Sequence, residues 1–283
     1  MNKKKIQIEY VQKINLINEF NKFYYDNNNP KVSDQEYDEL KKKILTLEKK
    51  YKFLKSNKSP SKIIGFKPSK NFKKRLHRVQ MLSLANAFTK EDLINFEKKI
   101  LNFLSKSKQF ELSYSAEPKI DGISASLIYK NGEFKVGLSR GDGKEGEDIT
   151  ANLATIEDIP KKIKSNDFPE DIDIRGEVFI QNSDFENIKE KFANPRNAAS
   201  GSLRQKNPDD TKKIPLKFIA YTFGYEKGLK AKNQIDFLKN LEDWGFKINP
   251  LNKLVSGIDD LMINYSKIEK NRTKIDFDID GIV

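Results

Sequence analysis

The chain has 283 residues and carries 53 Lys plus Arg against 41 Asp plus Glu, so its formal net charge is +12. This length is sufficient for one large domain or two unequal domains with a buried core. The absence of cysteine excludes disulfides and thiolate zinc sites, the single histidine excludes a multi-histidine metal cluster, and no apolar run reaches membrane-spanning length.

The N-terminal region predicts a helical hairpin. The first helix carries apolar residues at helical spacing, namely Val11, Ile14, Ile17, Phe20 and Tyr24. Residues 27–30 break this pattern, and the sequence that follows is typical of a capping box, Ser33-Asp34-Gln35-Glu36. The second helix has its apolar stripe at Tyr37, Leu40, Ile44 and Leu47. Two helices packed around a small core are therefore expected before residue 56.

The next stretch, residues 56–80, lacks periodicity and is rich in Lys, Ser and Pro, which predicts a connecting loop or extended linker. A third helix is expected to begin at Thr89. Its apolar residues share one face, at Leu93, Phe96, Ile100 and Leu104.

From residue 110 onward the apolar pattern changes to a period of two, which predicts strands at residues 110–116, 124–129, 134–139, 172–180 and 217–223. Asn131-Gly132 is a strong hairpin signal between the second and third of these strands. Helical patterns cover residues 184–192 and 235–243, and Gly245 closes the latter. The chain is therefore expected to be α+β, with a mainly antiparallel sheet.

Arginine is rare in this chain, with seven Arg against 46 Lys. The planar guanidinium makes bidentate phosphate contacts that Lys cannot reproduce, so each Arg is a candidate for a specific role. Chance retention is the alternative. The net positive charge points in the same direction, toward a polyanion such as nucleic acid or a nucleotide.

One short segment contains a candidate nucleophile. Lys119 and Asp121 would share a face of a strand, and Gly122 would allow a backbone or ligand to approach closely. A lysine attacks only as the neutral amine, so burial, a nearby cation or a metal would have to lower its pKa from about 10.4. The alternative is an exposed Lys beside a turn-forming Asp-Gly, and the tetrapeptide by itself does not decide between them.

Seven segments favour a catalytic role for Lys119 over an exposed lysine beside a turn. In order and spacing they resemble the bacterial NAD-dependent DNA ligases over essentially the whole chain. They are YY with SDQEYD (24–25 and 33–38), MLSLANAF (81–88), EPKIDG (117–122), SRGDG with GEDIT (139–143 and 146–150), RGEV (175–178), NPRNAASGSLRQ (194–205) and DGIV (280–283).

The resemblance implies a helical NMN-binding domain and linker at residues 1–72. It also implies a nucleotidyltransferase domain of the DNA-ligase type, unrelated to ATP-grasp, at residues 73–283. In the family the sequence continues beyond Asp-Gly-Ile-Val with a lysine that contacts the transferring phosphate, then with OB-fold, zinc-binding, helix–hairpin–helix and BRCT regions. A truncated gene product or fragment is therefore expected, incomplete for nick sealing and without the lysine that contacts the transferring phosphate in the family.

The resemblance also implies a reaction. Lys119 would attack the adenylyl phosphorus of NAD, release NMN and form lysyl-AMP. This is the first step in sealing nicks between a 5′-phosphate and a 3′-hydroxyl in duplex DNA. Phosphoryl transfer needs positioned cations and usually Mg²⁺, so NAD and Mg²⁺ are the expected cofactors, with the metal ligands unassigned.

Several residues acquire expected roles around the adenosine half of NAD. Glu117 would bind the adenine edge, Asp121 would hold the geometry around the nucleophile, and Arg140 would contact the ribose. Glu177 would lie on the ribose or metal side, and two further cofactor contacts are expected at Ser83 and Leu84.

Structural alternatives exist for the acidic residues. Glu117 could be a solvated acid at a strand end. Residues 172–180 alternate in the manner of a half-buried strand that points Arg175 and Glu177 to one face, where an ion pair worth at most ~1 kcal/mol is the alternative.

The N-terminal hairpin would bind the nicotinamide half. Flat aromatics suit stacking on a pyridinium ring, and acids suit its positive charge and ribose hydroxyls. The expected contacts are Tyr24, Tyr25, Asp34, Gln35, Glu36, Tyr37 and Asp38. The alternatives are a core role for Tyr37 in the apolar stripe and a helix-dipole role for Asp34.

The remaining arginines are expected to bind phosphates. Arg196 and Arg204 would contact phosphates or nicked DNA, and Arg272 would reach the NAD phosphates. Arg75 and Arg78 fall outside the matching segments and are interpreted as surface charge or DNA-facing linker residues.

Two rival functions remain. An ATP-dependent ligase or RNA capping enzyme shares Lys-x-Asp-Gly but lacks the N-terminal Tyr-Tyr…Tyr-Asp segment. A noncatalytic basic fragment that binds DNA or nucleotide, inactive through truncation, would show steep salt dependence. The preferred interpretation is a monomeric cytoplasmic chain without a signal peptide or membrane partner, acting on nicked duplex DNA.

Overall fold

The computed structural model describes residues 3–25, 34–54, 56–59, 72–107 and 110–283. They divide into two compact units, Met1–His77 with Gly141–Glu147, and Arg78–Arg140 with Asp148–Val283. The α+β class expected from the sequence is confirmed. The boundary expected between residues 72 and 73 stays a prediction.

The described helices, in chain order, are α1 (Lys3–Tyr25), α2 (Asp34–Lys50), α3 (Lys90–Phe103), α4 (Thr150–Leu153), α5 (Asn182–Phe185), α6 (Pro195–Leu203), α7 (Pro208–Lys212), α8 (Gln234–Asp243) and α9 (Gly257–Asn271). The strands are β1 (Lys74–Leu76), β2 (Ser113–Ala116), β3 (Pro118–Ile120), β4 (Ile123–Lys130), β5 (Glu133–Ser139), β6 (Glu145–Glu147), β7 (Asp171–Ile180), β8 (Leu216–Lys227), β9 (Lys253–Ser256) and β10 (Ile279–Ile282). No described helix is both long enough and apolar enough to span a bilayer.

The first unit contains the expected helical pair. α1 and α2 pack through a small apolar cluster of Ile6, Tyr10, Ile14, Ile17, Ile44 and Leu54. The stripe is not entirely the expected one, because Val11 is exposed while Ile6 and Tyr10 are buried. Residues 27–30 and Ser33, on which the predicted break and capping box depend, lie outside the described residues.

The expectation of a loop or extended linker at residues 56–80 is wrong in part. β1 pairs antiparallel with β6, and Lys74 lies opposite Glu147. All three residues of β1 are exposed, so the strand has no apolar alternation that a sequence pattern could detect.

The second unit is built on a four-stranded antiparallel sheet in the order β5-β4-β7-β8. The predicted hairpin between β4 and β5 is confirmed, since Asn131 and Gly132 have φ values of 50° and 75°, as a type I′ turn requires. The expectation of a half-buried β7 is wrong. Every residue from 172 to 180 is buried, because β7 is an inner strand of the sheet and α6 also packs against it.

Two small strand pairs extend this unit, β2 with β9 and β3 with β10. The second pair aligns Lys119 with Gly281 and carries an irregularity between Ile279 and Gly281. Both pairs join residues more than 130 positions apart, and β3, β9 and β10 have only three or four residues each, so the sequence pattern did not reveal them.

Two of the helices predicted in this unit are present, and the third is wrong. α3 begins after Thr89 with a full capping box to Asp92, but only Leu101 is buried, whereas Phe96 and Leu104 of the predicted stripe are exposed. α8 ends before Gly245, which has φ +89°. The helix expected at 184–192 is wrong, because that region holds only the short α5 and a 3₁₀ turn at Lys189–Lys191.

Candidate active site

Lys119 lies at the outward position of β3. The strand is buried, exposed, buried along Pro118–Ile120, so alternation anchors its neighbours in the core and leaves the lysine side chain 45% exposed. Its Nζ forms an ion pair with the carboxylate of Asp280 on β10. Backbone hydrogen bonds between Glu117 and Val283, of 2.9 and 2.8 Å, hold the two strands together. The lysine is therefore fixed on a strand but remains accessible.

Asp121 follows β3 and forms an ion pair with Arg196. Arg196 is in the first turn of α6, which the Asn194 side chain caps by accepting a 2.7 Å hydrogen bond from the Asn197 N–H. The Asp121 N–H donates to the Asp278 carbonyl at 2.9 Å. Asp121 thus links the end of β3, the strand that carries Lys119, to both α6 and the segment that leads into β10.

Glu177 is a buried carboxyl next to this group. Ser124 Oγ donates to its Oε2 at 2.8 Å. Burial raises the pKa of Glu177 to about 7, although Arg196, the Ser124 hydrogen bond and Lys119 oppose this shift. A carboxyl that titrates near neutrality beside a lysine and an arginine marks a candidate functional site.

Gly122 has a packing role that explains the glycine of the Lys-x-Asp-Gly sequence. A Cβ at this position would lie 2.4 Å from the Val178 carbonyl oxygen and 2.7 Å from Glu177 Cγ. Glycine is needed so that the chain after Lys119 can pass close to β7 and to Glu177.

Glu117 is half-buried, so the alternative of a solvated acid at a strand end is wrong. Its Oε1 accepts hydrogen bonds from Ser115 Oγ at 2.9 Å and from Gln234 Nε2 at 2.8 Å. Burial raises the pKa of Glu117, and these two hydrogen bonds act against that shift. Gln234 is in turn fixed by its 2.7 Å bond to the Tyr221 carbonyl.

Arg175 does not pair with Glu177, contrary to the ion-pair alternative. Its guanidinium is buried and donates to the backbone carbonyls of Val79 and Gln80. Arg140 Nη2 donates to Ser83 Oγ at 2.9 Å. Ser83 and Leu84 are themselves exposed, so both expected cofactor contacts are open to solvent.

Of the three arginines expected to bind phosphates, one lies in the cluster around Asp121. Arg196 belongs to the cluster around Asp121, Arg204 is exposed at the C-terminal end of α6, and Arg272 is exposed on the 3₁₀ turn Arg272–Lys274.

The interpretation of Arg78 as a surface or DNA-facing linker residue is wrong. Its side chain is 24% exposed and forms ion pairs with Asp171, at 2.6 Å, and with Asp173. The guanidinium also lies 4.4 Å from the centroid of the Tyr225 ring. Arg75, in contrast, is exposed on β1.

The N-terminal candidates lie in the first unit. Tyr24 and Tyr25 end α1, and Asp34, Gln35 and Asp38 lie in the first turns of α2. Glu36 is exposed. The Tyr37 hydroxyl donates to Asn21 Oδ1 at 2.8 Å, and the Tyr37 ring packs on the helical core. Tyr37 therefore has the core role that was the alternative to cofactor binding.

The cluster contains two further residues that the sequence interpretation did not single out. Asp280 lies in the DGIV segment, so its motif was visible while its pairing with Lys119 was not. Tyr221 is on β8, where burial and then Glu177 raise its pKa, and no local pattern distinguishes it from other strand aromatics.

The described residues contain no group of three or more His, Cys, Asp or Glu side chains that could hold a metal ion.

Two family models match the chain. Residues 69–283 match the NAD-dependent DNA ligase adenylation domain, and residues 3–65 match the DNA ligase-like N-terminal NAD⁺-binding domain. A DNA ligase of Pelagibacter ubique is 65% identical over 100% of this chain and 42% of its own length. A DNA ligase of Bradyrhizobium sp. is 43% identical over 93% of this chain and 38% of its own.

A third relative, a DNA ligase of Mesorhizobium japonicum, is 42% identical over 92% of this chain and 36% of its own length. The chain thus spans about two fifths of the curated relatives it matches. A solved structure titled "Pmar-Lig_Pre." aligns over 86% of this chain with a TM-score of 0.41 and 16% identity, too weak a likeness to be informative.

Proposed function

Because the chain belongs to the NAD-dependent DNA ligase family, we propose that Lys119 takes the adenylyl group of NAD as the first step of nick sealing. Residues 73–283 would carry out this adenylation, and residues 1–72 would bind the nicotinamide half of NAD. The observation that supports this most directly is the position of Lys119, accessible at the centre of a charged cluster formed with Asp280, Glu177 and the Asp121–Arg196 pair.

The reaction consumes NAD as a substrate. The Lys119 ammonium loses one proton to become the neutral amine that attacks the adenylyl phosphorus, and its nitrogen releases a second proton to solvent as the P–N bond forms. The bond to the bridging oxygen breaks, so that its electron pair leaves with NMN. Asp280 contacts the amine and is in position to accept the proton. Arg196 and Arg140 provide positive charge for a transition state that spreads negative charge over phosphate oxygens.

Adenosine recognition is proposed at Glu117. Among the described residues, the two donors to Glu117 both bond to Oε1, and Oε2 is proposed to accept from the amino group of adenine. Asp121, Ser83 and Leu84 are proposed beside it, with Glu177 and Arg140 on the ribose. The proposed nicotinamide contacts are Tyr24, Tyr25, Asp34, Gln35, Glu36, Tyr37 and Asp38.

Mg²⁺ is proposed as the second cofactor, where it would neutralise charge on the phosphates. Nicked duplex DNA is the proposed partner. Arg196 and Arg204 are proposed to contact phosphates or this DNA, and Arg272 is proposed to reach the NAD phosphates. The protein is proposed to act in the cytoplasm as a monomer.

Intact-mass spectrometry tests the chemistry directly. The protein is first weighed to establish that it carries no adenylyl group, then incubated with Mg²⁺ and either NAD or ATP. One adenylyl adduct from NAD is expected, and Lys119→Ala should abolish it. Lys135→Ala is a matched control, because Lys135 is 47% exposed and, like Lys119, forms an ion pair with a carboxylate.

The outcomes separate the candidates. An adduct from ATP alone would overturn NAD as substrate. No adduct from either nucleotide would favour the second candidate, a noncatalytic basic fragment that binds DNA or nucleotide, which the net charge of +12 supports. An adduct that persists in Lys119→Ala would place the chemistry on another side chain.

A further inference from the structure

Three arginines hold one irregular segment of the second unit, residues 78–84, which we name the strap. It runs between β1 and α3 without helix or strand structure of its own. It contains Ser83 and Leu84, the proposed cofactor contacts. Its position therefore depends on side-chain contacts rather than on a backbone ladder.

The first attachment is the side chain of Arg78 itself. Its Nε donates to Asp173 Oδ1 at 3.0 Å, its Nη1 donates to Asp171 Oδ1 at 2.6 Å, and its Nη2 also bonds to Asp173. Asp173 is 3% exposed, so its charge would be expensive to bury without this partner. The Tyr225 N–H adds a 3.3 Å bond to Asp173 Oδ2, and the Tyr225 ring lies against the guanidinium.

The second attachment comes from the sheet. Arg175 lies two residues beyond Asp173 on β7, hence on the same face, and donates to the carbonyls of Val79 and Gln80. Its guanidinium occupies the space above Gly224, where a Cβ would lie 2.7 Å from Arg175 Nη2. The glycine on β8 therefore makes room for the arginine that binds the strap.

The third attachment is at the far end of the strap. Arg140 donates to Ser83 Oγ at 2.9 Å, and its own N–H donates to the Ser124 carbonyl at 3.3 Å. Ser124 Oγ in turn bonds to Glu177 at 2.8 Å. Contacts thus run continuously from Arg78, along the strap, to the buried carboxyl beside Lys119.

We propose that Arg78 is a positioning residue for nucleotide binding: its clamp on Asp171 and Asp173 fixes the strap so that Ser83 and Leu84 are held at the adenosine site. The inference rests on the proposed function. Lysine would not reproduce these contacts, because Arg78 uses three separate nitrogens of a planar guanidinium that also lies over the Tyr225 ring, and a compact ammonium has no such plane. This gives a structural reason for arginine at position 78 in a chain with 46 Lys and seven Arg.

A double-mutant cycle with AMP as the probe tests the proposal. The variants are Arg78→Gln, Asp173→Asn and the double substitution, with Arg78→Lys in reserve should the first fold poorly. AMP binding is measured by calorimetry on adduct-free protein. Each single variant is expected to weaken AMP about tenfold, which corresponds to ~1.4 kcal/mol, and the double variant no further. Lys230→Gln is the charge-matched control, because it breaks an exposed ion pair with Asp167.

Strap mobility is measured separately from binding. The chain has no cysteine, so a spin label on Leu82→Cys, a position that is 70% exposed, reports on the strap alone. The mobility of the label is read from its electron paramagnetic resonance spectrum, whose lines narrow as the label moves more freely. Arg78→Gln is expected to narrow these lines, and Lys230→Gln is expected to leave them unchanged. Thermal unfolding of each variant identifies a general loss of stability.

Three results would overturn the inference. In the first, the label becomes mobile but AMP affinity is retained. In the second, Arg78→Gln lowers the melting temperature while both AMP affinity and label mobility stay at the parent values. In the third, the losses in the two single variants add in the double variant. Failure of the parent to bind AMP or to accept an adenylyl group would instead refute the proposed function, and the inference with it.

Discussion

Glu177 gives the site a pH dependence that can be measured without substrate. Burial raises its pKa from 4.5 to about 7. Between these values the folded protein holds a proton that the unfolded chain has released, so the free energy of unfolding must fall as pH rises through this window. At about 1.4 kcal/mol per pKa unit, the decrease approaches ~3 kcal/mol.

Glu177→Gln should remove this decrease. Urea unfolding at several pH values between 4.5 and 8 is expected to give a flatter stability profile than that of the parent. Glu242→Gln, which alters an exposed carboxyl on α8, serves as the control and should keep the parent slope. An unchanged slope in Glu177→Gln would mean that the carboxyl is ionised throughout this range.

For single residues, local sequence motifs predicted which residues belong to the site better than they predicted which partners those residues contact. Lys119, Asp121 and Glu177 belong to short recognisable segments, and the structure brings them into one cluster. Arg78 was misinterpreted because its partners, Asp171 and Asp173, are more than 90 positions away and nothing nearby in the sequence indicates them. Tyr221 was missed for the same reason, since its significance comes from Glu177 on the neighbouring strand.

Among the elements, α5 depends on a residue far from it in sequence. Asp276 accepts hydrogen bonds from the Ser183 N–H at 2.8 Å, from Ser183 Oγ at 2.7 Å and from Gln181 Nε2 at 3.1 Å. Its carboxylate thus caps a helix that has no side-chain cap of its own, and it ties the segment before β10 to the end of β7.

Asp276→Ala is expected to lower stability by about 1 kcal/mol, the usual effect of removing an N-cap. It should also slow formation of the Lys119 adduct, because β10 carries Asp280. Asp276→Asn keeps one acceptor and should have a smaller effect. Glu190→Ala, at an exposed carboxyl on the following 3₁₀ turn, is the control. Equal effects of Asp276→Ala and Glu190→Ala would contradict the capping role.

The same distinction between local and distant signals explains which elements were predicted. α1, α2, α8 and the β4–β5 hairpin have clear periodicity or turn residues within their own sequence. β3 and β10 do not, because three or four residues cannot establish a pattern and their pairing joins Lys119 to Gly281. The exposed face of α3 was also unpredictable, since an apolar stripe specifies which residues could pack, not whether a partner covers them.

For the whole molecule, the net charge of +12 predicts binding to nicked duplex DNA that weakens steeply with salt. With two phosphate contacts, at Arg196 and Arg204, raising salt from 50 to 200 mM should weaken binding about twelvefold, at a log–log slope of roughly −0.9 per contact. Fluorescence anisotropy measures this slope, and Arg204→Gln should reduce it by about one. Binding that is insensitive to salt would contradict these phosphate contacts, and no binding at 50 mM salt would remove DNA from the proposed partners.

The strand pair β3–β10 has a consequence for biosynthesis. Lys119 leaves the ribosome 161 residues before Asp280, which at about 5–20 residues per second is roughly 8–30 s of translation. During that interval the emerging polypeptide carries a lysine without its aspartate and an unpaired three-residue edge. The β3–β10 pair can therefore form only after residue 282 has been synthesised.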